Sequence, residues 1–547
     1  MNARRGRVTT RLTRWVIVCL AAVLPYVATI DDYFVRDDFG VVQLLAQKPF
    51  SYFPRWFASS WMDEIWGYVP DEVRPFPALS YQLTALGGPA SPSFHHVVNV
   101  LIHAANGLLV MAIAMRAAGL GVQAAMFAGL VFVLLPVHTE SVAWITGRVD
   151  SLPALFYLAA FLAYVNARLA YVRSRQQARH LYIWSLVLFF VALFTKQNTI
   201  TMVATLVGYD VIVARRRVVP LVAFVRPYVP FALMTAAYLW LRYLLFGQVA
   251  REGALNARGL EDFRILLDRH IRHVVAGDMA APAIVVWLAL AAVVIVWLRT
   301  RALSRVEGPA LSSVEGYGRR LLYFGPVWWA IGVLPIAVAG YHSPRHVYLA
   351  AVGWAVVLGI AFEAAWQARP SLAWHRAIAA VSALVLLFYV VPLYRSVGEW
   401  RTMAAVSHKV VRDVRDAALS APEGSLIIVG APGRSWEWAL PFAVQPPFQR
   451  TDLRARVFII SPRALNCCAA RWFEETRETI RAWSAGASRD SAVALRWDPN
   501  TGALSRAAGT ETPQLPVLTR SLVDLPRPDD LDKYLRRMLD ILPTGVQ

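Results

Sequence analysis

Charge is scarce in this sequence: 17% of its 547 residues are Asp, Glu, Lys or Arg, while 57% are hydrophobic. Soluble domains carry about 25% charge, so a soluble enzyme held by one anchor is excluded. Cysteine is scarcer still, with only Cys19, Cys467 and Cys468. The neighbouring pair has neither CxxC nor zinc-site spacing, so no disulfide framework is expected, and Cys19 reads as a small apolar packer in the first span. Lysine occurs only at Lys48, Lys196, Lys409 and Lys533. Arginine carries the rest of the basic charge, a skew that suggests a GC-rich bacterial genome. There is no internal repeat with a period near 34 residues and no low-complexity tract, which excludes a repeat array. No small-residue cleavage site follows the first apolar run, so that run is expected to stay as an uncleaved helix.

What the chain does have is apolar length. Its mean hydropathy is +0.45, and runs long enough to cross a bilayer, about 20 residues each, recur through the first 395 positions. The expected spans are 15–30, 96–115, 122–138, 151–168, 181–196, 199–214, 226–246, 281–298, 321–340, 347–366 and 376–394. The net charge of +19 raises nucleic acid as a partner, but its distribution excludes that reading. Arginines cluster in bursts between apolar runs: Arg4 to Arg14, Arg173 to Arg179, Arg215 to Arg217 and Arg299 to Arg320. With the N-terminus in the cytoplasm, strict alternation of eleven spans puts every burst on the cytoplasmic side, as the positive-inside rule requires. The sequence therefore predicts a mainly α, polytopic helical membrane protein.

The same alternation puts the loop 31–95 outside, with Asp31, Asp32, Asp37, Asp38, Asp63, Glu64, Asp71 and Glu72 and an aromatic stretch suited to the interface. The segment 396–547 is also external and changes character. EGSLIIVGAP and ARVFIISPRAL read as strands, and DDLDKYLRRMLDIL reads as an amphipathic helix. Residues 1–395 are thus expected to form the membrane domain and 396–547 a small extracytoplasmic α/β domain of unknown role. LPFAVQPPF, Leu440 to Phe448, reads as an ordinary connection.

Polar residues near span ends fall mainly on the outer side. FVRDDFG brings Asp37 and Asp38; LLPVHTESVAWITGRVD brings His138, Glu140, Arg148 and Asp150. FTKQN brings Lys196, YLWLRYLLFG brings Arg242, and YHSPRHVYL brings His342, Arg345 and His346. Carboxylates, imidazoles and cations gathered at one membrane face suit a substrate with a phosphate and a hydrocarbon tail. Arginine and lysine neutralise the phosphate, and a carboxylate takes a proton from an attacking hydroxyl. Each residue also has a structural alternative. Asp37 and Asp38 fit a helix cap or solvated loop, and His138 with Glu140 fits a helix start. Lys196, Arg242 and Arg345 fit cations reaching toward head groups. His95, His96 and His103 read as packing contacts, and Asp210 as a partner of the Arg215–Arg217 burst.

RPFPALSYQL, FHHVVNVLIHAANGLLV, LLPVHTESVAWITGRVDSLPALFYLAAFLAY, FTKQNTITMVATLVGYD and RHVYLAAVGWAVVLG occur in one order. Together they resemble the membrane part of the TMTC-like O-mannosyltransferases and their bacterial relatives, within the GT-C class of polytopic glycosyltransferases. The likeness covers roughly residues 15–400, and HTESVAWITGRVDSLPALF is its most specific stretch. It implies a GT-C membrane fold and transfer of a sugar from a polyprenyl-phosphate carrier to an acceptor outside the cytoplasm. It also implies that the key acidic residue lies in the F-V-x-D-D pattern, here Asp37 and Asp38, with a second polar motif at His138 and Glu140. Some GT-C members hold a divalent metal at these two places, for which Asp38, His138 and Glu140 would be the ligands, whereas many need none. Three departures stand out. Gln197 replaces the carboxylate of the family's S-K-E, and Pro344 replaces an acidic residue before Arg345. The C-terminal TPR repeats are missing.

The expected activity is an inverting transfer to a hydroxyl of a protein, glycan or lipid. Asp37 or Asp38 serves as base, slightly in favour of Asp38, and Lys196, Arg242 and Arg345 bind the leaving phosphate. His138, Glu140, Arg148, Asp150 and His346 complete the substrate site. The expected location is a bacterial cytoplasmic membrane. A lipid-linked-sugar transporter and a non-catalytic assembly scaffold are the alternatives; the lack of visible halves with interrupted helices counts against the first.

Overall fold

The structure is a computed structural model describing residues 2–62, 71–214, 220–249, 260–276, 312–338, 343–423, 425–430, 432–433, 435–460, 478, 481, 492–507 and 542. The expected span 281–298, residues 529–541 of the expected C-terminal helix, His342, Arg215 to Arg217 and the Cys467–Cys468 pair lie outside them. By contacts the chain divides into two units. One comprises Met1–Ile30, Val73–Pro77 and His96–Trp400; the other comprises Asp31–Glu72, Ala78–His95 and Arg401–Gln547.

The first unit is helical. Five helices of the described chain are long and apolar enough to cross a membrane: Leu12–Thr29, Ser93–Arg116, Arg148–Ala170, Val229–Phe246 and Leu372–Ser420. The chain is an integral membrane protein. Val122–Leu134 and Pro136–Ala143 would form a sixth crossing, bent by 51°. The cause is Pro136, which cannot donate into the preceding turn and drives Leu135 into an extended conformation. The expected span 199–214 changes helix type along its length. It consists of the 3-10 turn Gln197–Thr201, the helix Met202–Gly208 and the π-helical turn Tyr209–Val213.

Small residues let these helices approach. Ala351–Gln367 packs against Val122–Leu134 on one side and Ser312–Val338 on the other. A Cβ added at Gly353 would stand 2.4 Å from the Gly325 carbonyl oxygen. Backbone thus meets backbone, as small residues permit between helices in lipid. Buried polar side chains cross-link the same helices. Asn106 donates to the Tyr348 hydroxyl at 3.1 Å, which donates to His103 Nδ1 at 2.7 Å. His103 Nε2–H donates to the Val133 carbonyl at 3.1 Å, which fixes the tautomer. His103 is therefore a packing residue, as expected. Asp210 accepts from Tyr164 and Tyr228 at 2.7 and 2.8 Å and lies 3.4 Å from Arg168 Nε. These are its partners among the described residues; the expected partner, the Arg215–Arg217 burst, lies outside them.

The second unit holds a four-stranded sheet of β1 (Leu426–Gly430), β2 (Val457–Ile460), β3 (Ala492–Asp498) and β4 (Ala503–Arg506), in the order β2-β1-β3-β4. β1 runs parallel to β2 and β3, pairing Ile427 with both Val457 and Val493, while β4 returns antiparallel with Arg506 opposite Leu495. β1 is buried throughout, as a central parallel strand must be when both faces are covered. Ile427 and Val429 pack with Val410, Val414 and Ala417 of the Leu372–Ser420 helix and with Leu440 and Val444. The expectation of a plain connection at Leu440 to Phe448 needs correcting. Leu440 to Ala443 form the last turn of the helix Trp436–Ala443 because their apolar side chains have this core to fill.

Candidate functional site

The polar groups of the first unit are positioned by the loop that follows the Pro136 break. After the short helix Thr139–Ala143 the chain turns at Trp144 and re-enters the membrane as Arg148–Ala170. The turn folds so tightly that a Cβ at Gly147 would lie 2.1 Å from the Glu140 carbonyl oxygen, which only glycine avoids. Asn99 secures it from the neighbouring helix. Its amide nitrogen lies 3.3, 2.9 and 3.2 Å from the carbonyls of Val142, Trp144 and Ile145, and its oxygen accepts from Arg148 Nε at 2.6 Å. Arg148 is fully buried. Its bond to Asn99 clasps this turn to the Ser93–Arg116 helix.

The turn presents Glu140 and Asp150 to two cations. Arg345 Nη1 donates to Glu140 Oε1 at 2.7 Å, and the Arg345 backbone N–H reaches Glu140 Oε2 at 3.3 Å. Ser343 donates to the same oxygen. The Lys196 ammonium bonds Asp150 Oδ1, and Arg345 Nε stands 3.4 Å from Asp150 Oδ2. The Arg345 guanidinium also lies 4.8 Å from the centre of the Trp144 ring, a cation–π contact, and Trp144 stacks on Trp400. Arg74 donates to Gln197 at 3.4 Å beside this group. Burial, followed by the fields of Lys196, Arg345, His270 and Arg74, holds the His346 imidazole well below its ordinary range, so it is neutral at pH 7.

Buried ion pairs are poor stabilisers, because losing water costs each charge several kcal/mol. A cluster of this kind at the ends of apolar helices therefore points to function. The ammonium has three protons to donate, and among the described residues it bonds only Asp150. It is the group best able to accept an anion. Sequence reasoning missed Trp144, Ser343, Arg74 and the clasp by Asn99. The available signal was that Arg74, Asn99 and Trp144 stand inside motifs that carry the family resemblance.

Two expected residues stand apart from this cluster. His138 lies only two positions before Glu140, yet its ring packs 4.2 Å from Tyr348, 4.5 Å from Phe132 and 5.5 Å from His103. Arg242 is buried on the Val229–Phe246 helix, donates to the Val249 carbonyl at 3.2 Å and lies over the Phe246 ring. A metal does not fit these residues. Among the described residues no group of three His, Cys, Asp or Glu is arranged to hold one. His138 faces aromatic rings, and the Glu140 oxygens are taken by Arg345 and Ser343. Asp38 Oδ2 accepts a backbone N–H.

In the second unit the acidic pair sits on a closed turn. Asp38 N–H donates to the Val35 carbonyl at 3.1 Å, and Val35 N–H returns to Asp38 Oδ2 at 3.0 Å. Asp38 opens the helix Asp38–Gln47 and is 1% exposed. A carboxylate there also suits the helix dipole, while the bond from Val35 N–H engages one of its oxygens in the preceding turn. Between the two anchors Arg36 has φ of 52°, a left-handed conformation that costs a non-glycine residue about 1 to 3 kcal/mol. Asp37 is half-buried and caps nothing with its side chain. Beside the turn, Asp32 is pushed above the usual carboxylate range by burial, against the pull of Arg401.

No protein-family profile matches the chain. Protein O-mannosyl-transferase TMTC4 of Homo sapiens is 28% identical over 224 residues, covering 36% of this chain and 29% of that protein. Protein O-mannosyl-transferase TMTC3 of Homo sapiens is 29% identical over 170 residues, covering 29% and 18%. Protein O-mannosyl-transferase Tmtc2 of Drosophila melanogaster is 33% identical over 155 residues, covering 27% and 16%. The chain thus spans less than a third of these relatives' length. Among solved structures, ArnT from Cupriavidus metallidurans bound to undecaprenyl phosphate superposes with a TM-score of 0.47 and 14% identity, covering 89% of this chain and 93% of that one. Archaeal oligosaccharyltransferase AglB from Archaeoglobus fulgidus, in complex with an inhibitory peptide and a dolichol-phosphate, superposes with a TM-score of 0.46 and 11% identity, covering 92% and 75%. Those scores are too low to assign a fold by themselves. The resemblance expected from the motifs is borne out in sequence: segments covering 27% to 36% of the chain align with TMTC O-mannosyltransferases at 28% to 33% identity.

Proposed function

We propose that this protein is a GT-C-type membrane glycosyltransferase that moves a sugar from a polyprenyl-phosphate carrier to a hydroxyl acceptor, with inversion. The observation that carries the reading is the buried cluster of Glu140, Arg345, Asp150 and Lys196, in which the ammonium keeps donors uncommitted to any described residue. Its chemistry fits a phosphate whose charge grows during reaction. Lys196 and Arg345 bind the bridging phosphate of the donor. Asp37 or Asp38 accepts the proton of the acceptor hydroxyl. The oxygen attacks the anomeric carbon while the bond from that carbon to the phosphate oxygen breaks, and both bonding electrons leave with the polyprenyl phosphate. The transition state resembles an oxocarbenium ion. A carboxylate of pKa about 3.9 suffices as base if the proton leaves late, when the attacking oxygen has become acidic. The two cations meet the developing phosphate charge without reorganising, since Glu140 and Asp150 already hold them in place. The role of base rests on the F-V-x-D-D motif and that of phosphate binder on the cluster.

In this reading the active face and residues 396–547 lie outside the cytoplasm, in a bacterial cytoplasmic membrane; the arginine bursts between apolar runs support that orientation. The test is binding of undecaprenyl phosphate to purified protein, followed by tryptophan fluorescence, because Trp144 lies against Arg345. Wild type should bind saturably, and Arg345→Met, which removes one phosphate ligand, should bind at least tenfold more weakly. Equal affinity in the two proteins would remove the cluster from donor recognition.

A further inference from the structure

The acidic turn is strained at Arg36, and a left-handed non-glycine residue persists only where its surroundings over-determine it. Those surroundings come from residues far along the chain. Ser407 on the Leu372–Ser420 helix is buried, and its hydroxyl donates to the Phe34 carbonyl at 2.6 Å. The Phe34 ring meets Phe448 at 5.0 Å, and Phe448 also meets Phe39 at 5.0 Å, so one side chain braces the turn before and after the acidic pair. Gln43 of the following helix donates to Gln445 at 3.0 Å. Tyr33 lies against His408 with ring centres 4.6 Å apart. The Ser407 bond holds the Phe34 carbonyl, two residues before Arg36, while the Val35–Asp38 pair closes the turn across it.

We propose that Ser407, with Phe448 as its brace, is a positioning residue that holds the Phe34–Asp38 turn in its strained form and so aims the Asp37 and Asp38 carboxylates at the acceptor hydroxyl. This rests on the reading of the pair as the base. It gives the C-terminal segment a part in catalysis that does not depend on which acceptor is used. A general structural role for Ser407 would not care about the backbone preference of Arg36, whereas a positioning role does. Glycine adopts φ near +52° without strain, so Arg36→Gly lets the Val35–Asp38 pair close the turn unaided.

The test uses full-length protein in liposomes with labelled polyprenyl-phosphate sugars and a lysate acceptor, plus hydrogen exchange of the amides of Val35 and Asp38. Ser407→Ala should lower kcat by about tenfold or more, as a misaimed catalytic group does, with KM for the donor unchanged and faster exchange at both amides. Arg36→Gly alone should stay near wild type, and Ser407→Ala with Arg36→Gly should recover most of kcat and slow the exchange again. The proposal is overturned if Ser407→Ala changes neither kcat nor exchange, or if kcat falls and Arg36→Gly does not restore it. Asp37→Asn and Asp38→Asn separate the two readings. Normal turnover in both overturns the base assignment and with it the catalytic part of this proposal. Loss in either leaves Ser407→Ala and its rescue to decide the positioning role.

Discussion

Replacing Lys196 by methionine keeps the length of the side chain and removes its ammonium. Asp150 is then left with its side chain 2% exposed and its main partner gone, while the lysine side chain it replaces was 11% exposed. Breaking a buried pair from one side costs about 3 to 5 kcal/mol. Arg345 Nε, 3.4 Å from the other Asp150 oxygen, recovers part of that, so the expected loss is near the lower limit, about 3 kcal/mol. Since about 1.4 kcal/mol is a factor of ten, the folded-to-unfolded ratio should fall by roughly 10²-fold. Removing both charges avoids a stranded carboxylate, and such apolar replacements come within about 1 kcal/mol of neutral or better. Lys196→Met with Asp150→Leu should therefore regain most of the lost stability. The assay is reversible unfolding in mixed micelles for wild type, both single variants and the double variant. Sugar transfer by the same four proteins separates folding from function. Stability should return in the double variant and transfer should not, because the phosphate has lost its ammonium. Additive destabilisation would refute the buried pair, and transfer that returns with stability would make Lys196 purely structural.

Gly147→Ala should reduce the yield of folded protein and lower its melting temperature, since the new methyl would stand 2.1 Å from a backbone carbonyl that cannot move without shifting Glu140; overpacking of this kind costs about 1 to 3 kcal/mol or more. Asn99→Leu should destabilise by about 3 kcal/mol through the loss of the hydrogen bond to a buried guanidinium and of the clasp on three carbonyls, measured by thermal unfolding in detergent. His346 is depressed in the folded state, so the unfolded chain takes up a proton first as pH falls below about 6.5, and folded stability declines from there toward the lower folded value. The melting temperature of His346→Asn should accordingly fall less between pH 7 and pH 5 than that of wild type; equal slopes would show that His346 is not held neutral.

The parts of the fold that were legible in the sequence are those set by local pattern. The continuous apolar run Leu426–Gly430 announced a strand, and the polar residues at the ends of apolar runs announced Glu140, Asp150, Lys196 and Arg345. What was not legible depends on partners distant in the chain or on direction within one turn. His138 closes the 3-10 turn Pro136–His138 and Glu140 lies in the helix Thr139–Ala143, so two residues two positions apart in the motif meet different partners. The bond between Arg148 and Asn99 was not legible because the two residues stand in different helices. The Trp436–Ala443 helix was hidden because Pro441 and the prolines after it read as a connection, although an apolar core awaited its side chains.

The most direct test of the central claim is transfer of label from polyprenyl-phosphate sugars in reconstituted membranes. Wild type would be compared with Asp37→Asn, Asp38→Asn and the Lys196→Met, Asp150→Leu double variant, all shown to be folded. The account predicts that wild type moves label from one donor of the panel into a hydroxyl-bearing acceptor of the lysate with inverted anomeric configuration. At least one Asn variant and the double variant should fail to do so. Saturable binding of the carrier lipid by wild type with no label transferred to any acceptor, or normal transfer by both Asn variants and the double variant, would contradict it.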